Sequence, residues 1–252
     1  MSRPILFASD IHLSESDPTT IEAFTEFLQG PARQASALYL LGDLFEYWAG
    51  DDDDDALNQR MADQLCALAQ GGTAVYLMHG NRDFLIGADF ARRAHATLLP
   101  DPYCIEAFGL NLLLSHGDQL CTDDLAYQQF RHMVRNQAWQ AQFLGLPLPV
   151  RKAEIAKVRM ASESAKQEKA ADIMDVNASA VSKLLAAYPG HHLVHGHTHR
   201  PSLSRHEVQH GLRQRWVLPD WYRGKGGYLQ VDDNGPMFVG ARQEASWAGS
   251  ER

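Results

Sequence analysis

No segment of this 252-residue chain approaches the roughly 20 apolar residues that a membrane-spanning helix needs. The opening MSRPILFASD also lacks an apolar stretch long enough for the core of a secretory signal, so a cytoplasmic protein that does not cross a membrane is expected. Cysteine is scarce. The three thiols, Cys66, Cys104 and Cys121, are too few and too scattered for a disulfide framework or a thiolate metal site, and they read as small buried apolar residues. An excess of positive charge is missing too: the formal net charge is −8, which argues against a nucleic-acid binder and sets a puzzle should the substrate be anionic. No internal repeat is visible. The one low-complexity tract, Asp51 to Asp55, reads as a solvated loop leading into a helix start in preference to a cation site.

What the chain does have is 45% hydrophobic and 21% charged residues, enough for one large domain or a domain with a sizeable insertion. It also has 12 histidines, many for this length in the commonest side-chain metal ligand. Short apolar runs with strand character recur at Ile5 to Ala8, Leu38 to Leu41, Val75 to Met78, Leu110 to Leu114 and His192 to Val194. The early ones alternate with helix-like stretches, Thr19 to Gln29 and Ala56 to Gln70, which is the pattern of a layered sheet covered by helices. From Thr122 to Tyr188 the sequence is long, charged and helix-forming. About residues 122–170 read as a helical insertion over the sheet, with Phe143 to Val150 as its hinge or turn; Pro201 to Val239 returns to short strands.

Each apolar run ends in groups that are costly to desolvate unless something uses them. SDIH supplies Asp10 and His12, GDLFEYW supplies Asp43, HGNRDF supplies Asn81, Arg82 and Asp83, SHGD supplies His116, and HGHTH supplies His195, His197 and His199. Strand ends along one edge of an α/β sheet are where such folds gather ligands. The oxygen and nitrogen donors collected here suit borderline divalent ions such as Mn²⁺, Fe²⁺ or Zn²⁺, and seven good candidates could serve two ions bridged by one Asp. Two such ions roughly 3.5 to 4 Å apart would clamp a phosphoryl group and lower the pKa of a shared water. They would also make an acidic protein locally positive, which answers the charge puzzle.

The ordered set resembles the calcineurin-like metallophosphoesterase superfamily, whose pattern is D-x-H, G-D, G-N-H-[DE], H and G-H-x-H. The resemblance implies a four-layered α/β/β/α metallophosphoesterase sandwich, here one domain over 1–252 with a helical lid insertion. It further implies one metal held by Asp10, His12, Asp43 and His199, and a second by Asp43, Asn81, His116 and His197, with Asp43 as the bridge. The chain departs from the pattern where Arg82 replaces the His that assists a poor leaving group. An arginine side chain cannot act as a general acid, but its planar fork suits phosphate oxygens. A leaving group that needs no protonation, such as a phosphate ester released from a diphosphate, is therefore favoured. Within HGNRDF, Gly80 is expected to free the turn and Asp83 to pair with and orient Arg82.

The stretches LYLLGDLFEYWAGDD, GNRDFLIG, SHGDQLCTDDLAYQQFR and HGHTHRP together are similar to the UDP-2,3-diacylglucosamine hydrolase family of the lipid A pathway. That similarity implies hydrolysis of the diphosphate to UMP and 2,3-diacylglucosamine 1-phosphate, with Mn²⁺ as the usual metal and water attacking the uridine-side phosphorus. It implies a helical insertion over the acyl chains and reversible peripheral contact with the cytoplasmic side of the inner membrane; no obligate protein partner is evident in the sequence. Asp43, Arg82 and His116 would carry catalysis, and Asn81, Arg82, Asp124, Ser162, Lys166, Lys169 and His197 would touch substrate. Ser162, Lys166 and Lys169 share one helix face by their i, i+4, i+7 spacing, a face that without the resemblance reads as solvated surface. The segment AWQAQFLGLPLPV (138–150) is apolar enough to line an acyl pocket or touch a bilayer, and equally suits an interhelical core. A soluble nucleotide-sugar or dinucleotide pyrophosphatase of the same superfamily, or a non-catalytic metal-binding scaffold, are the competing expectations.

Overall fold

Strands covered on both faces read as unbroken apolar runs, and β1 (Ile5–Ala8) and β2 (Ala37–Leu41) are buried at every position. The computed structural model describes residues 2–168, 175–209 and 211–240. β1 and β2 run parallel with β3 (Ala74–Met78) and β4 (Ala96–Leu99), in the register Ile5↔Ala37, Leu38↔Val75 and Tyr76↔Thr97. A second sheet holds β5 (Tyr103–Ala107), β6 (Leu110–Ser115), β7 (His192–His195), β8 (Ser202–Val208) and β9 (Gly211–Val217), in the order β5-β6-β7-β9-β8. The chain then returns to the first sheet, where β10 (Tyr228–Asp232) and β11 (Gly235–Val239) complete the order β11-β10-β1-β2-β3-β4.

Three apolar clusters account for four layers. Alternate side chains of the first sheet, Leu6, Ala8, Leu38, Leu40, Val75 and Leu77, pack under α1 (Pro18–Gln29), α2 (Ala56–Gln70) and α3 (Ala88–Arg93). Their opposite neighbours, Ile5, Phe7, Tyr39 and Leu41, meet Leu112, Leu114, Val194 and Trp216 of the second sheet. The outer face of that sheet, through Leu113 and Leu193, is covered by Val181 and Leu185 of the last helix, Ala178–Ala187. This is the expected α/β/β/α sandwich. α1 and α2 start where Asp17 and Asp55 cap free backbone N–H groups, within a residue of the boundaries read from the sequence. The elements missed by that reading, α3, β4 and β5, are short and only partly buried, so their apolar periodicity is weak.

Between β6 and the last helix the chain forms α4 (Leu125–Val134), α5 (Gln137–Leu144) and α6 (Leu148–Glu168). Residues 145–147 make the turn between α5 and α6, inside the expected segment. No helix among the described residues is long and apolar enough to cross a membrane. Two expectations are corrected. Cys121 alone is a buried thiol, whereas Cys66 is half-buried and Cys104 exposed at a sheet edge. The Asp51–Asp55 tract is not simply solvated. Asp51 accepts from the backbone N–H of Gly87, Asp89 and Phe90 and from Trp48 Nε1, and the buried Asp53 meets Lys152 at 2.8 Å. Asp52 takes both Nη groups of Arg151, whose side chain is 2% exposed and also donates to the carbonyls of Ala49 and Leu146. The acidic tract thus anchors the start of α6.

Removing the Arg151 side chain would leave a cavity and orphaned carbonyls, so Arg151→Ala should cost about 3 kcal/mol. Asp52 is 63% exposed, and Asp52→Asn should cost less than about 1 kcal/mol. Equilibrium urea unfolding checks both.

Candidate metal centre

The parallel strands of the two sheets bring their C-terminal ends to one edge, where short backbone bonds join the turns that follow. Ile11 N and His12 N donate to Asp43 O at 2.9 and 3.0 Å, and Gly196 N donates to His116 O at 3.0 Å. These turns are strained. Asp10, His12, Asp43, His197 and His199 all hold positive φ, between 51° and 68°, a region that L-residues enter at an order of 1–3 kcal/mol each unless their surroundings hold them. Five of the seven candidate ligands therefore sit in conformations that local preference opposes. Gly80 corrects the expectation of a freed turn: it has no positive φ, but a Cβ there would strike the backbone and carboxylate of Asp43. The glycine permits close approach.

The donors converge as a cation would require. His12 Nδ1 lies 2.9 Å from Glu46 Oε2 and His116 Nδ1 donates to Leu41 O at 2.9 Å, so each ring spends its proton outward and turns Nε2 inward. His12 Nε2 faces His199 Nε2 at 3.3 Å, and the latter lies 3.3 Å from Asp10 Oδ1, a buried oxygen with no hydrogen-bond partner. On the other side Asn81 Oδ1 lies 3.0 Å from His116 Nε2 and 2.9 Å from His197 Nδ1. Asp43 Oδ2 is 3.8 Å from both His12 Nε2 and His116 Nε2, midway between the two groups. Converging lone pairs with an orphaned carboxylate oxygen fit divalent metals on both sides of Asp43. All seven predicted donors are thus brought together.

Charge in the site follows from burial. Burial alone would push the Asp10 carboxyl up, but His199 beside its Oδ1 and the neighbouring His116 and His12 hold it well below the usual range. Burial raises the Asp43 carboxyl. Burial opposes a charged His116 ring, yet Asp43 and Asp10 beside it push it up to about 9. His197, buried and next to His116, is pushed down to about 3. His195, the first histidine of HGHTH, lies in the core with Nδ1 against Gly196 O and is pushed down to about 4 by burial.

Arg82 sits at the mouth with its side chain 14% exposed, and its backbone N–H donates to Asp43 Oδ1 at 2.8 Å. Asp83 does not orient it. Buried Asp83 instead accepts from the backbone N–H groups of Gly80 and Leu44 at 2.8 and 2.7 Å, tying the β2 and β3 turns together. The residue beside Arg82 is Glu46, with Oε1 3.7 Å from Arg82 Nη1 and 2.7 Å from Arg159 Nη2 of α6. Glu46 thus links α6 to the outer nitrogen of His12. Sequence reasoning missed it although it stands in the quoted GDLFEYW, because its partner Arg159 lies 113 residues away. Asp118 was missed as well: fully buried, it accepts from Tyr127 Oη and Arg131 Nε at 2.6 and 2.8 Å, and Arg135, at the C-terminal cap of that helix, reaches Gly80 O at 2.8 Å.

A cavity of about 660 Å³ opens beside the centre. Asn81, Arg82, His197 and His199 line its metal end, and Phe130, Trp139, Phe143, Ile155 and Val158 of α4–α6 line the rest. Asp124, which caps α4, also lines it. Of the other predicted contacts, Ser162 and Lys166 fall on the last turns of α6, where the helix backbone alone is described, and Lys169 lies outside the described residues.

A family model described as calcineurin-like phosphoesterase matches residues 3–201. Among curated proteins, one named UDP-2,3-diacylglucosamine hydrolase in Aromatoleum aromaticum is 55% identical over 231 residues, covering 92% of this chain and 94% of that one. Proteins of the same name in Chromobacterium violaceum and Neisseria gonorrhoeae are 49% and 47% identical, over 92% and 94% of this chain and 96% and 98% of theirs.

Glu46→Gln keeps the shape of the link between α6 and His12 but removes its charge. The affinity of metal-free protein for a divalent transition-metal ion should fall about 10- to 100-fold by calorimetric titration, with the urea midpoint little changed. Unaltered affinity would mean that Glu46 serves α6 alone.

Proposed function

The chain belongs to the calcineurin-like phosphoesterase family, and on that footing we propose that it hydrolyses the diphosphate of UDP-2,3-diacylglucosamine to UMP and 2,3-diacylglucosamine 1-phosphate. The single observation that favours this over a soluble pyrophosphatase is the apolar cavity roofed by α4–α6 and continuous with the donor cluster. We read α4–α6 as a lid whose aromatic lining takes the acyl chains. Within 138–150, Trp139 and Phe143 line the cavity and support the lining role, Phe143 also packs against the helix-side core, and Leu146 and Val150 stay exposed. Exposed Leu125, Met133 and Met160 on the same helices support peripheral contact with the inner membrane, where a doubly acylated substrate resides.

Asp10, His12, Asp43 and His199 would hold one divalent ion, and Asp43, Asn81, His116 and His197 the other, with Mn²⁺ favoured by the family resemblance. When bound, such ions neutralise phosphoryl charge and make water a nucleophile at neutral pH. The protein's own part is positional. Asp83 and the Arg82 amide fix Asp43, Glu46 and Leu41 fix the rings of His12 and His116, and the Arg82 guanidinium is placed to hold phosphate oxygens at the cavity mouth. Water attacks the uridine-side phosphorus, the bond from that phosphorus to the bridging oxygen breaks, and the bridging oxygen leaves with the lipid phosphate. A phosphate monoester leaves without a general acid, which is consistent with arginine at position 82.

Hydrolysis in ¹⁸O-labelled water should place label in UMP, read by mass spectrometry; label in the lipid phosphate would reverse the site of attack. UMP release from the diacylated substrate should exceed that from soluble UDP-sugars by orders of magnitude, and equal rates would sink the lipid reading. Arg82→Ala leaves the backbone bond to Asp43 intact, so turnover should fall about 10²- to 10³-fold with metal content retained.

A further inference from the structure

A second, smaller cavity of about 230 Å³ opens from the same donor cluster and shares Glu46, Asn81, Arg82, His197 and His199 with the first. It is lined on its far side by Asp220, Trp221 and Tyr222 of the segment joining β9 to β10, and by no residue of α4–α6. Two cavities that meet at the donor cluster offer separate places for the two substituents of a diphosphate held there. The lid cavity, about three times larger and walled by aromatic and aliphatic side chains, suits the acylated sugar. We infer that the smaller cavity is the nucleoside subsite, in which the pyrimidine stacks on the Tyr222 ring and the ribose hydroxyls donate to Asp220. This rests on the proposed function and extends it to a part of the substrate for which the motifs name no residue.

The wall is held in place without a ligand. Trp221 N donates to Asp10 O at 3.0 Å, tying the segment to the first metal motif, and the Trp221 ring packs edge-on against Phe24 and Phe27 at 5.4 and 5.5 Å. Tyr222 and Lys225 exchange backbone bonds at 2.8 and 3.1 Å, and Asp17 Oδ2 accepts from Arg223 N at 3.0 Å. The Tyr222 ring is nevertheless half open, at 51% exposure, with the Arg223 guanidinium 4.9 Å from its centroid. An aromatic face presented by a braced turn and backed by a cation is a stacking platform for a base. The buried Trp221 Nε1–H has no acceptor among the described residues, which leaves a donor in the wall of the cavity.

The test is equilibrium binding of UMP and of 2,3-diacylglucosamine 1-phosphate to the Mn²⁺-loaded protein, run beside turnover of the diacylated substrate. Tyr222→Ala should weaken UMP about tenfold, the loss of one base–aromatic stack, and leave the lipid product within twofold. Tyr222→Phe keeps the ring and should bind UMP as the wild type does, and Trp139→Ala should weaken the lipid product only. Unchanged UMP affinity in Tyr222→Ala, or an equal loss for both products, overturns the subsite. Wild-type protein that binds UMP through Tyr222 yet releases none from the diacylated substrate would refute the reaction and leave the subsite standing.

Discussion

Two buried carboxylates, Asp10 and Asp43, face one another's histidines at the join of two sheets, and much of the local structure is arranged around that concentration of unscreened charge. Asp43 is bound by the Arg82 amide, its own amide by Asp83, and its carbonyl by the amides of Ile11 and His12. Asp10 accepts from Ser9 and from the His197 amide while one of its oxygens remains unpaired. Such a cluster is stable only if something positive occupies it. Asp43 and Asp10 push the neighbouring His116 ring toward its charged form, and divalent cations match the donors better.

The strain at positive φ has the same origin. Turning five donor-bearing residues inward within a few ångströms requires backbone conformations that open chains avoid, and hydrogen bonds between neighbouring turns hold them there. The scaffold contributes four layers of packing, and the edge where both sheets end contributes the chemistry. Helices α4–α6 are tied to that edge at three points: Arg159 to Glu46, Arg135 to Gly80, and Arg131 with Tyr127 to Asp118. The roof of the large cavity is thereby registered on the centre it covers, so the cavity and the donor cluster keep a fixed spacing.

Legibility in the sequence tracked locality. Asp10, His12, Asp43, Asn81, His116, His197 and His199 each follow an apolar run directly, and a buried strand ending in a ligand is a pattern within six residues. Asp51–Asp55 misled because a run of like charge is usually solvated, and its partners Arg151 and Lys152 stand about 100 residues on. In the sequence the partner on view for Asp83 is the adjacent Arg82, whereas in the fold Asp83 serves the β2 turn.

The order of residues by itself determined the strand ends, their donors and the family to which they belong, because alternation of apolar runs and polar corners is local. Tertiary structure alone decided which carboxylate braces which histidine, that Gly80 is needed for close approach, and that two cavities of different polarity meet at one centre. Those outcomes depend on pairs more than 30 residues apart, such as Glu46 with Arg159 and Asp10 with Trp221, which become neighbours only when the sheets close.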